Sequence, residues 1–369
     1  MVKIWTPEAI PWDAVATPLA AAEDAVARLD ERLAKSPIRE GWIARTHFSD
    51  ACDSRWLAGE LVHLEDLVLH NARMDVRAPT HEITRAHAVL RARRRIAEAD
   101  PGWTLTTVGL DALRGRAPGP AEEQGRGPAV EQDDDNPGFD GRCLVDDEHD
   151  LADEFAAIEA AVARSERFLA GAGPAGVNRD PLVYEPDWDE DDRLAEWRAA
   201  VDQTKGLPPV LAAAIALDAW DTIEPLQNAS WLGQLLAAAL LRARAKTRAH
   251  LTCLNSGLRI VPRARRRSKD NGARLVALIE SFAMAADKGM QDHDRWVLAR
   301  RQLERKLEGR RSTSKLPGLI DFVMSRPIVS AGMIAKELSI TARAAQDLVA
   351  ELGLREATGK GRYRAWGVL

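Results

Sequence analysis

The 369 residues are 46% hydrophobic and 29% charged, with a net charge of -5. That composition suits a packed core, and the length suits two to three domains of about 150 residues each. Several classes are excluded or disfavoured. No run of about 20 apolar residues offers a membrane span, and the opening MVKIWTPEAIPWDAVATP has no continuous apolar segment of the secretory kind. Cys52, Cys143 and Cys253 are odd in number and widely spaced, which suits a reducing cytoplasm and no thiolate metal site. The eight histidines form no zinc-binding pattern, so no metal and no cofactor is expected.

Taken in chain order, the predicted elements are mainly helical. In TPLAAAEDAVARLDERLAKSP, Thr17 is the expected N-cap, Pro18 the first helical residue and Pro37 the stop. DSRWLAGELVHLEDLVLHN places Leu57, Leu61, Leu64, Val68 and Leu69 at helical spacing. The next helix starts at Thr80–Glu82 and stops near Pro101-Gly102. These make an N-terminal helical region, 1–115. The stretch 116–150, with EQDDDNPGFDG, is too acidic and too rich in Pro and Gly to bury much surface, and reads as a flexible linker.

A helical core is expected over 151–311. It opens with LADEFAAIEAAVARSERFLAG, followed by a break that contains a short strand around Leu182–Tyr184. LPPVLAAAIALDAWDTI and SWLGQLLAAALLRARAKTRAH are apolar on most faces and are predicted to be central antiparallel neighbours. Two further helices are predicted at about Ala273–Lys288 and Asp292–Arg310. Trp296, Leu303 and Leu307 line one side of the second, a stripe suited to a homodimer or to the protein's own core. The run Arg263 to Arg267, RARRR, reads as a phosphate-seeking or simply solvated loop.

The segment 312–369 carries the clearest functional signal. Charge is divided unevenly along the chain. From Arg259 onward there are 23 Lys and Arg against 12 Asp and Glu, a net +11, whereas the preceding residues carry 28 against 44, a net -16. A basic C-terminal third suits a polyanionic partner. Within it, Ser330 caps one helix, SIT makes a turn, Thr341 caps a second helix and Gly353 ends it. Ile334, Leu338, Ile340, Ala345, Leu348, Val349 and Leu352 supply a shared core. LREAT, the turn GKG and RYRAW then form a hairpin, completing a winged helix-turn-helix pattern.

The predicted DNA-binding residues follow from that layout. Thr341, Arg343 and Gln346 lie at the start of the second helix, where Arg suits guanine and Gln suits adenine in the major groove. Lys360, Arg362 and Arg364 lie on the hairpin and suit phosphates or a minor groove. The expected partners are double-stranded DNA and a second copy of the chain. A winged helix used only for protein contacts, as in an antitoxin-like partner, is the alternative.

Two resemblances add to this reading. From Asp180 to Glu308 the chain resembles the Fic family, carried by Leu207-Pro208-Pro209, Ile223, Pro225, and Gly233 with Leu235-Leu236. The resemblance implies a Fic-like helical body, and a winged helix behind such a body is a known Fic arrangement. It also implies a degenerate site, because the family's catalytic histidine, magnesium ligand and glycine-rich anion loop fall on Glu224, Asn228 and Ala229-Ser230-Trp231. The family's second arginine falls on Gln234. SRWLAG, Ser54 to Gly59, matches the spacing of the Fic inhibitory helix, with Ala58 at the glutamate's place. A nucleotidyl- or phosphoryl-transferase with a diverged site is the alternative to a body without catalysis. In that second case the loop is a packed connection, with Asn228 or Ser230 capping the helix after it.

Over nearly full length the chain also resembles a set of bacterial proteins, frequent on plasmids of plant-associated alphaproteobacteria, that join a body without assigned activity to a C-terminal helix-turn-helix. RTHFSDACDSRWLAGELVHLEDLVLH, RAPTHEITRAHAVLRARRRI and GLREATGKGRYRAWG carry that likeness. It implies fold and context, and no activity.

Overall fold

The computed structural model describes residues 5, 9–74, 78–115, 188–307, 315–357 and 364–368. The predicted linker 116–150, the helix from Leu151 and the strand at Leu182–Tyr184 lie outside these residues. The chain divides into two compact units, one formed by 1–105 with 189–369 and the other by 106–188. In the second unit the described element is a short helix, Thr107–Leu113, capped by the Thr106 hydroxyl.

The first unit begins with α1 (Trp12–Ala34), α2 (Arg39–Leu57), α3 (Leu64–Asn71) and α4 (His81–Glu98). Numbering the Thr107–Leu113 helix α5, it continues with α6 (Glu190–Gln203), α7 (Pro209–Ile223), α8 (Leu232–Ala243), α9 (Leu254–Ile260), α10 (Arg263–Arg266) and α11 (Asn271–Glu304). It closes with α12 (Leu316–Met324), β1 (Val329–Ser330), α13 (Ala331–Leu338), α14 (Ala342–Leu352), β2 (Arg355–Glu356) and β3 (Ala365–Gly367). Among the described residues no helix is long and apolar enough to cross a membrane.

The core lies around α7 and α8. From Val210 to Trp220 every residue of α7 is buried, as are Leu235 to Leu241 of α8. Their alanines leave room for close helix contact, and the two helices pack together as predicted. α6 covers α7: the Trp197 indole donates to the Ala216 carbonyl at 2.9 Å and meets the Trp220 ring edge-on. α1 and α9 pack along α11, and α2 joins α4 to α9.

A buried ion pair fixes that second junction. Asp50 of α2 and Arg93 of α4 are both fully buried and bond at 2.8 Å. Asn255 donates twice to the same carboxylate, and Arg93 also serves the Leu251 and Thr252 carbonyls. The Asp50 carboxylate and both terminal nitrogens of Arg93 thus leave water where hydrogen-bond partners replace it.

Several boundaries differ from those predicted. α1 starts at Trp12, not Thr17. Pro11 accepts the first backbone bonds, and Pro18 sits inside the helix on a partly exposed face, where a missing N–H bond costs least. The helix expected across Asp53–Asn71 is two helices, because Ala58-Gly59 turns the chain with Gly59 at φ +86° and leaves Leu61 exposed. α6 was not among the predicted helices: it starts in the last residues of the expected break, its N-terminus capped by the Asp189 carboxylate on the Asp191 and Asp192 amides.

The two helices expected over 273–310 are one, α11, about 50 Å long. Gly289, at the expected break, is helical. A Cβ there would lie 2.8 Å from Leu29 and 3.1 Å from Trp42, whose indole donates to the Gly289 carbonyl. The glycine admits a neighbour and does not end the helix. Of the stripe proposed for a homodimer, Trp296 and Leu303 are buried within the chain, while Leu307 lies in the turn after α11 and is partly exposed.

Candidate nucleic-acid interface

The two predicted helices and the two strands of the predicted hairpin form, and the structure adds a helix, α12, and a third strand, β1. α12, whose Leu319, Ile320 and Val323 are buried, packs on α13 and α14. The sequence reading placed these residues inside the module, 312–369, but named no helix before Ser330. Its signal was LPGLIDFVM, an apolar segment with proline in the first turn.

The caps form as expected. The Ser330 hydroxyl accepts from the Met333 amide and Thr341 from the Ala344 amide, each at 3.2 Å. Gly353 closes α14 in the left-handed conformation, φ +61°. Ser339 ends α13 with φ 52°, an uncommon state for a residue with a side chain, and thereby turns the chain tightly into α14. The strands form an antiparallel sheet in the order β1-β3-β2, with Trp366 opposite both Val329 and Glu356. Ile334, Ala345, Val349, Leu352 and Trp366 are buried, while Leu338, Ile340 and Leu348 are partly exposed.

The outer face of α14 carries Arg343, Gln346 and Asp347, all exposed. The Arg343 side chain is 84% exposed and lies 3.8 Å from Asp347, a loose pair one turn apart. Water screens such a pair, so exchanging it for a base edge costs little. Thr341 uses an oxygen lone pair for its cap and keeps a hydroxyl proton to donate. Arg364 sits at the wing base, bonded to Glu356 at 2.7–2.8 Å and lying 5.5 Å from the Trp366 ring centre. Lys360, Arg362 and the turn between them lie outside the described residues.

The loop between α7 and α8 has a different character. Glu224 is exposed and left-handed, φ 49°, and its amide closes α7 on the Trp220 carbonyl. Pro225 and Leu226 are buried, and Asn228 and Ser230 are exposed. The N-cap position of α8 is neither Asn228 nor Ser230. That position belongs to Trp231, which makes no side-chain capping bond because an indole has no acceptor, and the Ser230 carbonyl before it accepts from the Trp220 indole at 3.1 Å. The Trp220 ring also fills the space beside Gly233, where a Cβ would lie 2.3 Å from it.

Nearby, Asp218 is engaged by the Arg274 guanidinium and the Trp5 indole. Among the described residues no three or more His, Cys, Asp or Glu converge as a metal site. RARRR forms a single helical turn, α10, against α11, with Arg265 paired to Glu280. Of the SRWLAG segment, Ser54 to Leu57 form the last turn of α2 and Ala58-Gly59 the turn after it.

Comparison with known proteins adds three findings. Residues 182–308 match a family described as a protein of unknown function (DUF1612). Residues 316–369 match a family described as an HTH DNA binding domain. The chain is 50% identical over 361 residues to "Uncharacterized protein y4cF" of Sinorhizobium fredii, a match that covers 93% of each chain.

Proposed function

We propose, on the premise that this chain belongs to the family of the Sinorhizobium fredii protein and ends in a helix-turn-helix DNA-binding domain, that it reads double-stranded DNA as a transcriptional regulator. The observation that carries this reading is the outer face of α14. A capped helix in a segment matching a DNA-binding family presents Arg343 and Gln346 to solvent near its N-terminus. Arg343 donates to guanine O6 and N7, Gln346 pairs with adenine, and Asp347 accepts from a cytosine amino group. Thr341, Lys360, Arg362 and Arg364 hold phosphates and fix the register. The site of action is the cytoplasm, where the DNA lies.

In this reading the body is a scaffold, a dimerisation unit or a sensor. Its likeness to Fic proteins is degenerate: Glu224, Pro225, Asn228, Ser230 and Gly233 form a connection and not a transferase centre. In support, Glu224 serves as a helix stop and Trp220 packs the loop from beneath. Two copies per site belong to the proposal, because one α14 reads only a few base pairs and two half-sites about 34 Å apart multiply the discrimination.

The test is selection of bound duplexes from a random pool, followed by titration at several salt concentrations. A recurrent sequence bound with a steep salt slope is expected. Binding no tighter to duplex DNA than to an uncharged polymer, with no dependence on salt, would overturn the reading.

A further inference from the structure

The last turn of a helix leaves carbonyls without intrahelical donors, at the negative end of the helix dipole. α12 ends in this way, and the donor comes from the body. Arg45 of α2 is only 5% exposed. Its Nη1 donates to the Val323 carbonyl at 3.1 Å and to the Arg326 carbonyl just beyond the helix, and its Nη2 to the Val368 carbonyl at 2.8 Å. One guanidinium therefore binds the end of α12, the turn that follows it and the segment after β3. The opposite wall is α11, where the Trp296 ring lies 4.7 Å from the guanidinium carbon.

Sequence and backbone prepare this socket. Gly41 lies one turn before Arg45 on α2, and a Cβ there would lie 2.9 Å from the Met324 carbonyl oxygen. Because that neighbour is backbone, it has no flexible end to move aside, so α2 meets α12 at a distance only glycine admits. Burial pushes the Arg45 pKa down to about 10, with Arg295 adding to the effect, so the group remains a cation at neutral pH. Two more ties follow from α11 and the residues after it. Arg300 pairs with Asp321 of α12, and Lys306 donates to the Leu352 carbonyl at the end of α14.

We infer that Arg45 is a positioning residue for DNA reading, the body's clamp on the winged helix, so that α2 and α11 set the angle at which α14 meets the major groove. This rests on the DNA-binding reading above. Flexible attachment would leave phosphate attraction intact and degrade base contacts, which tolerate little misplacement, so the clamp acts on discrimination more than on affinity.

The experiment uses the full chain, a duplex enriched from a random pool by the unaltered protein, and a scrambled duplex of the same composition. Arg45→Met keeps the apolar length and removes the donors. Its preference for the enriched duplex should fall about tenfold, the worth of one base contact. Its affinity for the scrambled duplex and its salt slope should stay unchanged. Lys306→Met should show a smaller loss of the same kind, and it carries the test if Arg45→Met does not fold. Arg45→Lys, a single point donor, should not restore the preference.

A folded Arg45→Met that keeps its preference would overturn the inference. So would an equal loss on both duplexes, which would reduce Arg45 to a general charge effect. Should the unaltered chain bind neither duplex, the DNA reading itself fails. Amide hydrogen exchange across Ile328–Trp366 then decides the clamp separately: faster exchange in Arg45→Met supports it and unchanged exchange refutes it.

Discussion

At the scale of the residue, contacts to bases and contacts to phosphates should separate under mutation. Arg343→Ala is expected to cost about 1–3 kcal/mol, confined to one base pair of the selected sequence, because the lost group reads a base edge. Arg362→Ala, on the wing, should weaken every duplex alike and lower the salt slope by about one. Competition titrations at two salt concentrations distinguish the two patterns. Buried histidines make a second prediction. Burial, with the nearby Arg93 and Arg94 cations, holds the His47 pKa well below its ordinary value. Burial also lowers His250, partly offset by its bond to the Asp30 carboxylate. The unfolded chain therefore takes up protons below about pH 6.5 that the folded chain refuses, so stability rises with pH through that window and falls on acidification. The urea midpoint should be lower at pH 5.5 than at pH 7.5, and His47→Gln should shrink the difference. A midpoint unchanged between the two would show that neither histidine is held neutral.

At the scale of the element, patterning served well where one face of a helix met one core. α4 starts at the predicted Thr80 cap, and α13 and α14 start at Ser330 and Thr341. It served poorly where glycine had two meanings. Gly59 turns the chain with positive φ, whereas Gly289 only makes room, and nothing in their immediate sequence separates the two. The consequence is testable. Gly289→Leu should destabilise by about 1–3 kcal/mol or more, since the added side chain must displace Leu29 and Trp42 from a packed seam. Thermal unfolding checks it, and a variant as stable as the parent would mean that α1 and α2 do not pack closely on α11. The RARRR run shows another limit: its composition suggested a loop, while Pro262 and packing on α11 make it a helical turn.

At the scale of the whole molecule, the expected assembly is two chains on one selected duplex. Sedimentation of the complex at tens of micromolar should give two protein copies per DNA, and one copy at saturation would remove the homodimer from the proposal. Of the surface first suggested for it, Trp296 and Leu303 are buried in the chain's own packing and only Leu307 is partly exposed, so most of the contacts must come from elsewhere. The body is expected to transfer no nucleotide. Incubation with labelled ATP, CTP and UTP, magnesium or manganese, and lysate as acceptor should leave all protein unlabelled. Labelling lost in Glu224→Ala would place a diverged transferase first. The physical ground is the cost of the missing parts: a base, a metal-binding carboxylate and donors aimed at a diphosphate. Asn228 brings no charge to a metal ion, and Ser230 turns its carbonyl to Trp220.

The sequence by itself determined the class of the chain and the shape of its C-terminal module, because caps, turns and apolar spacing act over a few residues. Ser330, Thr341 and Gly353 state their roles locally, and so does the near-continuous apolar surface of α7 and α8. Only the tertiary structure decided that α12 completes the winged helix, that α11 runs unbroken past Gly289, and that Arg45 holds the end of a helix nearly three hundred residues away. In the sequence Arg45 is one basic residue among 51 Lys and Arg. Its role exists because folding brings unsatisfied carbonyls from three segments to one buried cation, and no pattern within a helix records where the chain's distant carbonyls will fall short of donors.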